Sequence, residues 1–246
     1  MDIHELAAWC DNYLRVVEFE DYCPNGLQVE ASGEVTRLVT GVTASLELIE
    51  AAIDLRADVL LVHHGYFWKG ESQVLTGMKG RRIRQLMTHG INLLAYHLPL
   101  DAHPEVGNNA GLGAAMGLSG TPLSGKSLVW GAALDTPRKG SIIAESLSEA
   151  LQRRVTMLGG DRQVERLAWC TGAAQGYIEQ AAAAGFDAFI SGEVSEQTYH
   201  QARELGISYL AAGHHATERF GVQALGKKLA GQFGLWHQYV DLGNPV

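Results

Sequence analysis

Cysteine is scarce: three residues in 246, at positions 10, 23 and 170, odd in number and far apart. That excludes a disulfide framework, and with no Cys-x-x-Cys pair it also excludes a thiolate zinc ribbon. Long apolar runs are missing, since none approaches the roughly 20 residues of a membrane span. The N-terminus, Met1-Asp2-Ile3-His4-Glu5-Leu6, lacks the basic flank and apolar core of an export signal, so a cytoplasmic location is expected. Basic residues are in deficit, 19 against 27 acidic, for a net charge of −8. Such a balance argues against general nucleic-acid binding or a membrane-surface role, while leaving room for a small anionic ligand in a local basic pocket.

What remains is ordinary for a globular protein: 46% hydrophobic, 19% charged, and long enough for one large domain or two small ones. Ten histidines are the informative count. The chain is organised around Asp58-Val59-Leu60-Leu61-Val62-His63-His64-Gly65. Four consecutive apolar residues predict a strand buried on both faces, and it ends in two adjacent imidazoles. Ligands gather at the carboxyl ends of strands in open α/β sheets, and imidazole is the commonest metal-binding side chain.

Helical spacing is read over 3–16, 44–55, 81–89, 108–116, 141–152, 174–184 and 195–205. Strands are read over 37–43, 59–62, 91–96, 129–134, 155–158, 166–171, 187–190 and 207–212. Asp21-Tyr22-Cys23-Pro24-Asn25-Gly26 reads as a turn, and Pro99 and Pro104 as keeping the Asp101 segment out of a helix. The Gly-, Ser- and Pro-rich stretch 118–127 is the candidate linker, giving units 1–124 and 125–246, with the C-terminal segment contributing to a shared site.

The order of elements recurs. A shift of 129 lays Ile178, Glu179, Ala181 and Asp187 under Ile49, Glu50, Ala52 and Asp58. A shift of 116 lays Gln201, Gly206, Ile207, Leu210 and Ala211 under Gln85, Gly90, Ile91, Leu94 and Ala95. This predicts an α/β fold of two similar units produced by internal duplication. The two shifts differ by 13 residues, placed in the first copy where Tyr66-Phe67-Trp68-Lys69 lies.

The duplication also aligns chemistry. His97-x-x-x-Asp101 closes the first copy, and His214-x-x-x-Glu218 closes the second. His63, His64, Asp101, His214 and Glu218 all fall at or just past strand ends, which suits a pair of ions bridged by a shared water. Taken singly, Asp101 would be a cap or turn residue and His214-His215 a helix start. Their joint occurrence favours the metal.

The segments Asn25-Gly26-Leu27-Gln28-Val29, Gly41-Val42-Thr43, His63-His64-Gly65, His97-x-x-x-Asp101, Gly192-Glu193 and Gly213-His214-x-x-x-Glu218 span essentially the whole chain. Together they resemble the GTP cyclohydrolase I type 2 homologue family, in a bacterial form of minimal length. The resemblance implies interlinked α/β units with mixed β-sheets, a homohexameric ring, and two divalent ions per chain held by His63, His64, Asp101, His214 and Glu218. His97 and His215 match motif positions beside the site. The implied activity is metal-dependent hydrolysis of a small molecule, with a nucleotide as candidate substrate and opening of its imidazole ring as the reaction. His97 is then the first choice for proton shuttle, because its ordinary pKa is near operating pH. Glu193, which falls under His64 in the repeat, is the second. Tyr66, Phe67 or Trp68 would either stack on a base or pack between subunits, and Lys69, Arg81 or Arg82 would meet phosphate. The competing expectation is a non-catalytic metal-binding scaffold or metal-handling ring. Zn, Fe, Mn, Ni and Co all suit mixed imidazole and carboxylate donors.

Overall fold

The computed structural model describes residues 1–246. Helix α1 (Ile3–Tyr13) is capped by the Asp2 carboxylate, which accepts from the His4 and Glu5 amides, and it buries Ile3, Leu6, Ala7 and Cys10. Strands β1 (Gly26–Val29) and β2 (Arg37–Thr43) follow. Helix α2 (Leu46–Asp54) is capped by Ser45 and turns Leu48, Ile49 and Ala52 inward. Strand β3 (Val59–His64) is buried from Val59 to His63, as its apolar run requires, and extends into the histidines themselves.

Next come α3 (Gly77–Thr88), β4 (Asn92–Ala95) and α4 (Leu98–Ala102). The last corrects the expectation of a loop around Asp101. Pro99 stands in the first turn of α4, where no intrahelical N–H is needed, and Pro104 falls beyond its end. The chain continues through α5 (Asn108–Ala115), β5 (Thr121–Pro122), β6 (Trp130–Lys139), α6 (Gly140–Leu151), β7 (Thr156–Leu158) and β8 (Gln163–Cys170). A 3₁₀ turn, Gln175–Tyr177, leads into α7 (Ile178–Ala183). Then follow β9 (Ala188–Ser191), α8 (Glu196–Glu204), β10 (Ser208–Ala211), α9 (His214–Phe233) and β11 (Trp236–Tyr239). No helix is long and apolar enough to cross a membrane.

The chain divides into two compact units, residues 1–100 with 221–243, and residues 101–220 with 244–246. The division therefore falls after Leu100, and position 124 lies inside the second unit. The stretch 118–127, expected as a linker, contains β5, whose Thr121 and Pro122 pair with Gly131 and Trp130 of β6. Backbone pairing, invisible to composition, ties it to a sheet.

Both sheets are mixed. The first unit has the order β1-β4-β3-β2-β11, with β2, β3, β4 and β11 parallel and β1 antiparallel against β4. The second has the order β5-β6-β8-β9-β10-β7, with β8, β9 and β10 parallel and β6 and β7 antiparallel. Each core lies between its sheet and its helices. Leu60, Val62, Leu93 and Ile49 belong to the first, and Trp169, Ile190, Leu210 and Leu147 to the second.

The repeat read in the sequence is visible in the bonding. Asp58 Oδ2 accepts from the Thr36 amide and hydroxyl and from the Arg37 amide, each at 2.8 Å. Its counterpart Asp187 accepts through Oδ2 from the Glu165 and Arg166 amides at 2.9 Å. Arg37 donates to the Leu55 carbonyl, and Arg166 to that of Ala184. Leu38 stands opposite Val59, and Leu167 opposite Ala188, so strand register repeats with the same shift of 129.

Candidate metal centre

In the first unit, β3 ends with His63 and His64 while the chain leaving β4 supplies His97. One nitrogen from each of the three rings lies within 4.8 Å of the others. Ring centroids are 4.7 Å apart for His63 and His64, and 5.1 Å for His63 and His97. Every Nδ1 is engaged: His63 with the Tyr96 carbonyl at 2.8 Å, His64 with Thr43 Oγ1 at 3.0 Å, and His97 with Asp21 Oδ1 at 2.7 Å. A carbonyl or carboxylate only accepts, so in neutral His63 and His97 the proton sits on Nδ1 and Nε2 keeps the lone pair. That is the tautomer and anchoring usual for metal-bound histidine.

Gln28 explains the glycine after the histidines. Its Oε1 accepts from the Tyr66 amide at 2.7 Å, and a Cβ at Gly65 would stand 2.2 Å from that oxygen. Of the three aromatic candidates, Tyr66 is buried with its hydroxyl on the Ala44 carbonyl, and Phe67 packs against the core with the Lys79 ammonium over its ring. Only Trp68 sits at the imidazoles, 4.9 Å from His97 and 6.0 Å from His64 between centroids. Lys69 and Arg81 are exposed; Arg82 is half-buried.

In the second unit, α9 begins at His214, so the i, i+4 spacing brings His214 Nε2 to 2.9 Å from Glu218 Oε2. The other ring nitrogen, Nδ1, lies 2.7 Å from Glu193 Oε1, an arrangement in which Glu193 orients the His214 ring. Burial by itself would push the His214 imidazole down, but its hydrogen bond to Glu218 and that residue's charge, followed by Glu193, lift it to about 9. Asp101 is buried, and its Oδ1 accepts from Asn108 Nδ2 at 2.8 Å and Thr171 Oγ1 at 3.1 Å, which fixes the direction of Oδ2. The Cys170 thiol is pushed far up, first by burial and then by the charges of Asp101 and Glu218. It is no nucleophile. His215 donates its backbone amide to the Val246 carbonyl.

These donors fit a metal. Two atoms each about 2.1 Å from one ion and at right angles to it are about 3 Å apart, close to the His214–Glu218 separation. Gly172, at φ +69°, keeps space beside both donors: a Cβ there would stand 2.0 Å from Glu218 Oε1 and 3.4 Å from His214 Nε2. The supporting roles of Asp21, Gln28, Asn108 and Thr171, of Asn25, which accepts from the His97 amide, and of Asn109, which donates to the Asp101 carbonyl and accepts from the Thr171 amide, are not read in the sequence. Asn25 and Gln28 stand in the sequence within the Asn25-Gly26-Leu27-Gln28-Val29 segment of the resemblance, and the turn at Asp21 and the Asn108-Asn109 pair look like ordinary turn or cap chemistry.

The Duf34/NIF3 (NGG1p interacting factor 3) family profile matches residues 1–241. The chain belongs to the Duf34/NIF3 family. Within it, a GTP cyclohydrolase 1 type 2 homolog of Allochromatium vinosum is 56% identical over 249 residues, covering 100% of this chain and 98% of that protein. A protein of the same description from Pseudomonas aeruginosa is 52% identical, covering 98% and 97% of the two chains. The solved structure of protein ybgI, described as of unknown function, is 47% identical with a TM-score of 0.97 over 100% of each chain. The resemblance carried by the His63-His64-Gly65 and His214-x-x-x-Glu218 motifs is therefore a Duf34/NIF3 resemblance, and the mixed α/β architecture agrees with it.

Proposed function

We propose that the chain is a dinuclear metal-dependent hydrolase whose ions are held by His63 and His64 from the first unit and Asp101, His214 and Glu218 from the second. The observation that carries this reading is the state of the imidazoles: His63, His64 and His97 cluster with every Nδ1 already engaged. When bound, the ions would supply an activated water and polarise the bond under attack. The protein's own groups divide the remaining work. Asn108 and Thr171 hold the Asp101 carboxylate in one orientation, and Glu193 does the same for the His214 ring. Trp68 offers an aromatic surface beside the histidines, suited to stacking on a planar ring. The relatives' description as GTP cyclohydrolase 1 type 2 homologs supports a nucleotide as the small-molecule substrate and imidazole ring opening as the reaction. His97 is the proton shuttle of this scheme.

Elemental analysis of purified protein tests the site. About two transition-metal ions per chain, lowered by either His63→Ala or Asp101→Ala, is the expected result; no metal and no uptake on titration would overturn it. Turnover of a nucleotide panel tests the activity. Full metal loading with equal, negligible turnover in wild type and Asp101→Ala would assign the ions to a scaffold instead. We further propose a cytoplasmic homohexamer, which light scattering would check by the mass of the assembly.

A further inference from the structure

The turn between α1 and β1 makes contacts that a connecting loop does not need. The Asp21 side chain is only 4% exposed. Its Oδ1 accepts from the Tyr22 amide at 2.6 Å and faces His97 Nδ1 at 2.7 Å. Its Oδ2 accepts from Asn25 Nδ2 at 2.9 Å and from the Leu98 amide at 3.0 Å. Asn25 Oδ1 in turn accepts from the His97 amide at 2.7 Å. His97 is thus gripped at ring and backbone by two residues of the same turn, with Trp68 and Tyr22 edge-on to its ring.

A histidine placed for packing could rotate or exchange tautomers at small cost. Here an ionised carboxylate opposite Nδ1 favours the Nδ1–H form, leaving the Nε2 lone pair on the far side of the ring. His97 also contributes one atom to the group that includes His63 and His64. A carboxylate behind an imidazole is the arrangement that sets ring direction in acid–base and metal sites alike. The Asp21 carboxyl is held below its ordinary value: burial would raise it, but the hydrogen bonds it accepts from His97, Asn25 and the Tyr22 amide outweigh that.

We propose that Asp21 is a positioning residue that locks His97 as the Nδ1–H tautomer with Nε2 directed to the His63–His64 cluster, while Asn25 fixes the backbone from which the ring projects. The functional meaning of this lock rests on the hydrolase reading above; its geometry does not. In that reaction Nε2 accepts a proton from water or substrate and returns it to the leaving nitrogen, and Asp21 stays ionised throughout.

The test is two-bond ¹H–¹⁵N correlation on zinc-loaded, ¹⁵N-histidine-labelled protein, with His97 assigned by His97→Gln. Wild type is expected to show a protonated Nδ1 and an unprotonated Nε2. Asp21→Asn, whose amide can donate to Nδ1, is expected to lower the Nδ1–H fraction several-fold and turnover by about 100-fold or more, with metal content unchanged. Asp21→Glu is expected to restore the tautomer. A wild-type His97 protonated on Nε2, or a tautomer unmoved by Asp21→Asn, would overturn the proposal. The wild-type spectrum alone decides if Asp21→Asn does not fold. Absence of turnover by wild type would sink the hydrolase reading and leave this result standing.

Discussion

The two units share a frame and differ in what they hang on it. Asp58 and Asp187 tie the same strand starts, β2 with β3 and β8 with β9 keep the same register, and an antiparallel strand covers the outer edge of β4 and of β10. At the strand ends the resemblance stops. The first unit carries imidazoles at 63, 64 and 97, each braced from behind. The second has Gly192 and Glu193 where the first has His63 and His64, and gathers Glu193, His214 and Glu218. The anchoring hydrogen bonds recur in both units because each sheet needs them, while the strand ends carry different donor sets.

Removing a donor from either unit of the proposed centre has the largest expected effect. Glu218→Ala and His64→Ala should each lower metal per chain, and turnover by about 100-fold or more, measured by elemental analysis and a nucleotide assay. If the donors of one unit were dispensable, the ions would belong to the other alone.

The shared frame predicts matched stability losses. Leu60 and Phe189 occupy equivalent, fully buried positions. Leu60→Ala should cost about 2–5 kcal/mol and Phe189→Ala about 3–5 kcal/mol, read by denaturant unfolding. A smaller loss, about 1–2 kcal/mol, is expected for Asp58→Ala and Asp187→Ala. The first should be larger, since Asp58 accepts three hydrogen bonds at one oxygen and Asp187 two. Equal losses would mean that the Thr36 hydroxyl contributes nothing.

Titration should separate the units most gently. In metal-free protein His214 is raised from 6.5 to about 9, so its stabilising contribution is complete below pH 6.5 and is lost as pH rises through about 9. Asp21 is lowered from 3.8, so its contribution is present above that value and is lost as pH falls through the depressed pKa. Melting temperature against pH should therefore show an alkaline shoulder removed by His214→Gln and an acid one removed by Asp21→Asn. Because a metal needs the unprotonated His214 nitrogen, its affinity should climb over the window in which the apo protein weakens.

Much of this was legible in the sequence for physical reasons. The run Val59–Val62 has no polar residue to place outward, so its burial and its strand follow directly. The His214–Glu218 spacing states its own geometry once a helix is granted. What escaped depends on distant partners. Strand β11 is only four residues long, with alternate residues partly exposed, and exists because Trp236 to Tyr239 pair with Arg37 to Thr40. Asp21 and Asn25 look like turn residues because they are; that the turn also grips His97 is a tertiary fact. The α4 segment departs from the expected loop because the first turn of a helix accepts the proline that would break its interior.

The late arrival of β11 has a consequence for biosynthesis. Until β11 has been made, β2 presents a bare ladder of amides and carbonyls, because the residues that cover it, ending in Tyr239 beside Thr40, come far later in the chain. A nascent chain in that state is open to pairing with its neighbours on the polysome. Completion of the first sheet thereby waits for a strand made after the whole of the second unit's sheet.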